Sequence, residues 1–135
     1  MDYKALVNEA VAARKCSYSP YSGFMVGAAL LGKSGRVYHG CNIENAAFSP
    51  TNCAERTAFF RAVSDGERDF SAIAVIGWPD GGKPGLAYPC GVCLQVMMEF
   101  CEPATFRVIV AKSPEVYNVL TLAELLPNGF GSGNF

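Results

Sequence analysis

Long apolar runs are missing from this chain of 135 residues: the longest nearly unbroken one, residues 24–31, falls far short of the roughly 18 that a membrane-spanning helix needs. Charge is also scarce. Charged residues make up 17% of the chain, 11 basic against 12 acidic, and Lys and Arg form no run anywhere. A protein that tracks a phosphate backbone carries a visible basic surface, so this balance argues against nucleic acid and for a small, uncharged ligand. The opening Met1-Asp2-Tyr3-Lys4 has neither the basic nor the apolar region of a signal peptide, and we expect a cytoplasmic protein with no membrane association. Without an oxidising destination, the six cysteines read as metal ligands rather than as three disulfides.

What the chain does have is a composition 50% hydrophobic, enough for one sizeable core, and we expect a single domain over residues 1–135. Residues 2–15 place Tyr3, Leu6, Val7, Ala10 and Val11 at helical spacing, with Asp2 near the start and Arg14-Lys15 near the end to complement the macrodipole. Turn residues fill 17–23. Residues 24–31 and 36–41, joined by Gly32-Lys33-Ser34-Gly35, read as a hairpin. A helix over 53–63, capped by Asn52 or Thr51, precedes a continuous apolar strand at 72–77. Residues 78–88 read as a surface loop, 91–101 as a second helix, and 106–111 and 116–120 as further strands. Thr121 with Glu124 forms a capping box for a short helix over 121–126, and 128–135 is expected to be a flexible tail. Strands interleaved with helices predict an α/β layered domain on a mixed sheet, with both cysteine-bearing helix starts at one edge.

Those cysteines carry the chemistry. Cys53-Ala54-Glu55 is answered by Pro89-Cys90-Gly91-Val92-Cys93, and three thiolates on one tetrahedral zinc leave the fourth position open, as in a catalytic site. A glutamate beside the first ligand and a Pro-Cys-x-x-Cys half is the constellation known from the zinc base deaminases. Exchanging a pyrimidine amino group for oxygen requires an activated water and two delivered protons. Zinc lowers the pKa of water, and Glu55 is the residue to carry the protons. Zinc with three thiolates bears a net charge of −1, so something must drain charge from the sulfurs. Two helix N-termini and Arg56 are placed to do so. The bland alternative is a closed structural site with Cys16, Cys41, Cys101 or His39 as fourth ligand, although none of these belongs to a second Cys-x-x-Cys or a His-x-x-x-His pair. His39 alone on a strand reads as a surface or packing residue. Asn42-Ile43-Glu44-Asn45, polar where a strand ends, is either a binding loop or a pair of local Asx turns.

Over nearly its full length the chain resembles the small, homotetrameric class of cytidine deaminases. The resemblance runs through Tyr18-Ser19-Pro20-Tyr21-Ser22, Phe24-Met25-Val26-Gly27-Ala28-Ala29-Leu30-Leu31, Gly40-Cys41-Asn42-Ile43-Glu44-Asn45-Ala46-Ala47, Cys53-Ala54-Glu55-Arg56-Thr57-Ala58, the Pro89 to Cys93 segment and Glu124-Leu125-Leu126-Pro127. It implies a three-layer α/β/α sandwich around a roughly five-stranded mixed sheet. It also implies one zinc per chain on Cys53, Cys90 and Cys93, proton transfer by Glu55, and thiolate hydrogen bonding by Arg56. Asn42 and Glu44 would hold the ribose 3′-hydroxyl, Phe24 would pack on the pyrimidine, and Ala54 would give backbone contacts to the base. Ala46 and Phe130 of a neighbouring subunit would close the site. The activity implied is hydrolytic deamination of cytidine and 2′-deoxycytidine. The alternatives are a related cytosine nucleoside such as an antibiotic, or a catalytically silent zinc module.

Three positions depart from the family pattern: Leu94 where Arg usually follows the second zinc-helix cysteine, Phe48 where Tyr is common, and Tyr88 where Ser is common. None is a ligand or the glutamate, so they bear on efficiency, subunit contacts and substrate choice.

Overall fold

A computed structural model describes residues 1–135. Five strands, β1 (Phe24–Gly32), β2 (Val37–Cys41), β3 (Phe70–Pro79), β4 (Arg107–Ala111) and β5 (Tyr117–Thr121), form one sheet in the order β2-β1-β3-β4-β5. Only β3 and β4 pair in parallel; the other neighbours are antiparallel. The sheet is therefore mixed, as the hairpin and the helical crossover together require.

Alternation along the strands sorts the core onto two faces. Ala29, Ala72, Ala74, Ile76, Ile109 and Ala111 meet Leu6, Val7 and Ala10 of α1 (Tyr3–Arg14) on one side. On the other, Ala28, Leu30, Ile73, Val75, Val108 and Val110 meet α2 (Ala54–Ser64) and α3 (Gly91–Phe100), with Phe59 at the centre of Phe70, Phe100 and Phe106. The result is the expected three-layer α/β/α arrangement. The face toward α1 is mostly alanine, and at Gly27 a Cβ would overlap the Ala10 carbonyl and the Arg14 backbone, so α1 lies against the sheet at a distance only small residues permit. A short α4 (Leu122–Leu125) follows β5, with the capping box of Thr121 and Glu124 in place.

Topology then sets where the chemistry lies. β2 and β3 are both antiparallel to β1 and so run the same way, and their carboxyl ends share one edge of the sheet. The chain leaves β2 into α2 and β3 into α3, so both cysteine-bearing helices begin above that edge, as anticipated. Such an edge is where open α/β sheets bind ligands.

Several local expectations are corrected. The cap of α2 is Cys53 itself, with no side-chain hydrogen bond; Asn52 instead donates to the Thr57 hydroxyl. Arg14 does more than complement the helix dipole: it is buried, donating to the carbonyls of Met25 (3.1 Å) and Trp78 (2.8 Å), with its guanidinium 3.5 Å over the Trp78 ring. Residues 78 and 79 belong to β3 rather than to the loop, because they pair with Met25 and Phe24. Apart from these corrections, Ser132–Asn134 forms a 3₁₀ turn, Phe135 packs edge-on to Phe130 at 5.7 Å, and Gln95 donates to the Phe130 carbonyl (2.8 Å). His39 is a surface residue, its Nε2 3.6 Å from Glu9.

Candidate active site

Cys53 and Cys90 are the N-cap residues of α2 and α3, and Cys93 lies one turn into α3. Neither helix spends its first-turn N–H groups on a capping side chain, which leaves those donors and the positive end of each macrodipole beside the sulfurs. The three Sγ atoms lie within 4.8 Å of one another, and Cys53 and Cys90 are 3.7 Å apart. Tetrahedral zinc with Zn–S near 2.3 Å places its sulfurs about 3.8 Å apart, so the donor set fits this metal in both chemistry and spacing.

Arg56, on the first turn of α2, donates from Nη2 to the Cys53 sulfur at 3.3 Å, while its Nε is buried with no partner. Burial works against the guanidinium, but hydrogen bonds to Cys53 and Cys93 outweigh it and hold its pKa above the ordinary arginine value. A hydrogen bond from Cys93, helped by Arg56 and Cys90 against burial, brings the Cys53 thiol down to about 5; Cys93 moves the opposite way. At this cluster the Cys53–Cys93 pair thus favours a single negative charge, carried by Cys53 beside Arg56. His39, Cys16, Cys41 and Cys101 are not part of it, and no fourth protein ligand joins the three sulfurs.

Glu55 follows the first cysteine by two residues and is only 4% exposed. Burial, reinforced by the charge of Cys53, pushes its carboxyl up to about 7. A carboxyl that titrates near neutrality can both take and give a proton. Buried as it is, Glu55 lines a cavity beside Cys53 and Cys90.

That cavity, about 290 Å³, runs from Cys53, Glu55 and Cys90 to Asn42 and Glu44, with Phe24, Val26, Ala54 and Val75 as apolar walls. Asn42 and Glu44 line this cavity with their side chains bonded to residues 17–26 rather than to a local Asx turn, whereas Asn45 does form one, its Oδ1 accepting the Ala47 N–H (2.9 Å). Asn42 Oδ1 accepts the Val26 N–H (2.9 Å) and the Ser17 hydroxyl, and Nδ2 donates to the Phe24 carbonyl (2.7 Å). Glu44 Oε1 accepts the N–H groups of Tyr21 (3.0 Å) and Ser22 (3.1 Å), and Oε2 accepts the Ser22 hydroxyl. The Ser22 hydrogen bonds hold the Glu44 carboxyl below its ordinary range. By donor and acceptor count, one amide hydrogen of Asn42 and one lone-pair site of Glu44 remain free. A single hydroxyl can satisfy both.

Ser17 and Ser22 were not singled out from the sequence, because their roles arise where the turn at 17–23 lies against residues 42–44. Ala46 and Phe130 do not line this cavity; Phe130 is exposed beside the end of α3.

Residues 1–111 match the family described as "Cytidine and deoxycytidylate deaminase zinc-binding region". Among relatives, a cytidine deaminase of Sporosarcina psychrophila is 50% identical over 130 residues, 96% of this chain and 92% of that one. One from Halalkalibacterium halodurans is likewise 50% identical, over 96% of this chain and 95% of its own. The crystal structure of a Burkholderia pseudomallei cytidine deaminase superposes with a TM-score of 0.87 at 45% identity, covering 96% of this chain and all of that one. The paired cysteine-bearing helices, the buried glutamate and these likenesses agree: the chain belongs to the zinc-dependent cytidine and deoxycytidylate deaminase family.

Proposed function

We propose that the protein catalyses hydrolytic deamination of cytidine and 2′-deoxycytidine to the uridine products and ammonia, as a single catalytic domain serving pyrimidine salvage in the cytoplasm. The observation that carries this reading is a buried carboxyl, Glu55, beside an open three-sulfur site at one end of a cavity whose other end offers a paired donor and acceptor, Asn42 and Glu44. Cys53, Cys90 and Cys93 would hold the zinc, which when bound lowers the pKa of water toward neutrality.

The rest is the work of side chains. Glu55 accepts a proton from the attacking water and delivers it to ring N3, then takes the proton of the hydroxyl added at C4 and passes it to the amine, so that the C4–N bond breaks, the C4 carbonyl forms and ammonia leaves. Arg56 holds negative charge on the sulfurs. Phe24 and Ala54 position the base. Asn42 and Glu44 pair the ribose 3′-hydroxyl, and a ligand without it is rejected because two polar groups lose their partner. No basic side chain lines the cavity to receive a 5′-phosphate, which supports free nucleosides over nucleotides and nucleic acid.

The active form is a homotetramer in which Ala46 and Phe130 of a neighbour close the cavity. Exposed aromatic rings at Tyr18, Tyr21, Phe48 and Phe130 support this. The test is loss of the cytidine absorbance band with release of ammonia, in zinc-loaded but not zinc-stripped protein. Glu55→Gln should abolish turnover and leave zinc content and fold unchanged. Retained activity in that variant excludes the mechanism.

A further inference from the structure

The segment that leads into α3 carries a feature that the reaction does not use. Tyr88 lines the cavity beside Ala87, two residues before Cys90, and its phenol oxygen accepts a hydrogen bond from Asn118 Nδ2 on the edge strand β5 at 3.2 Å. An aromatic ring on a loop otherwise swings through its rotamers. Here its far end is fixed to the sheet, and the loop behind it is tied to β3 by the Gly77–Gly85 bridge.

The orientation of a cytosine nucleoside in this cavity, taken from the function proposed above, identifies what the ring faces. N3 and the amine must meet Glu55 on the α2 side, while the ribose hydroxyl meets Asn42 and Glu44. The remaining C5 edge then turns away from α2, toward the segment entering α3, where Ala87 and Tyr88 line the cavity. We infer that Tyr88 is a specificity-determining wall against substituents at C5 of the pyrimidine, and that Asn118 is a positioning residue that holds it there.

The test compares kcat/KM for 5-methylcytidine and cytidine in the zinc-loaded full chain. One methyl group admitted to or excluded from a pocket is worth about tenfold or more. Tyr88→Ser should raise the 5-methylcytidine to cytidine ratio by about that factor, chiefly through a lower KM for the methylated substrate. Tyr88→Phe and Asn118→Ala both remove the brace, so each should raise the ratio by a smaller, similar factor, and the double variant should go no further than either alone. An unchanged ratio in Tyr88→Ser overturns the wall, and independent multiplication in the double variant overturns the brace. Failure of the unmodified protein to turn over cytidine at all strikes instead at the proposed function.

Discussion

Arg56 is the residue on which the electrostatics of the sulfur cluster turn. Three thiolates overcompensate a divalent cation, and the half-buried guanidinium donates to the Cys53 sulfur at 3.3 Å. Groups that hydrogen-bond metal ligands commonly affect metal affinity or activity about 10- to 100-fold. Arg56→Gln should therefore weaken zinc retention against a competing chelator by about that range and lower kcat, with little change in KM. Glu44 gives a pH prediction of a different kind. Its pKa is depressed by the Ser22 hydroxyl, so the carboxylate is present above the ordinary glutamate value and is lost only as pH falls through the lower, folded one. Glu44 by itself should add no rise in KM for cytidine from pH 7 down to about 5, and the titration of Glu55 near 7 is common to the unmodified protein and a Ser22→Ala variant. In Ser22→Ala the rise in KM at acid pH should begin at a higher pH than in the unmodified protein. Coincident profiles would show that the Ser22 contact does not tune the carboxylate.

At the scale of elements, the site depends on how closely α2 can approach the sheet. A Cβ at Gly40 of β2 would overlap the Ala54 carbonyl oxygen and crowd the backbone of Ala58, so glycine lets the first turn of α2 lie directly on the strand. Gly40→Ala should lift that turn, which carries Cys53, Glu55 and Arg56. Overpacking of this kind costs about 1–3 kcal/mol, readable as a lower urea midpoint, and here zinc content should fall with it. Conservation of both zinc and midpoint would show that α2 is positioned by its other contacts. The legibility of the sequence divides along the same line. Cys53, Glu55 and the Cys90–Cys93 pair were readable because a few residues of spacing fix their chemistry, and β3 because its apolar run is local. Gly40, Ser17, Ser22 and Arg14 were not, since each acts through a partner that only the folded chain brings near. The cap of α2 alone misled, for a physical reason: Cys53 occupies the position that Asn52 or Thr51 would otherwise cap, and leaves the N–H groups free.

The whole molecule poses the question of why Phe130 matters if it does not line its own cavity. Its ring is more than half exposed and leans on Phe135, its carbonyl is tied to Gln95 of α3, and Phe48 in the loop after Asn45 is 92% exposed. Rings of this size left in solvent fit the tetramer proposed above, in which a neighbouring chain covers them. In the proposed tetramer each cavity draws Glu55 from one chain and Phe130 from another. Phe130→Ala should then impair turnover through KM without changing the urea midpoint of the subunit, while Glu55→Gln abolishes turnover outright. Co-expressing the two variants separates a shared site from a remote effect. In a mixed assembly, a Phe130→Ala chain keeps its Glu55 and can receive an intact Phe130 from a Glu55→Gln neighbour. Some cavities then become complete, and the KM of the mixture should move back toward that of the unmodified protein. If the mixture shows only the diluted activity of Phe130→Ala tetramers, with its raised KM, the cavity is closed from within one chain.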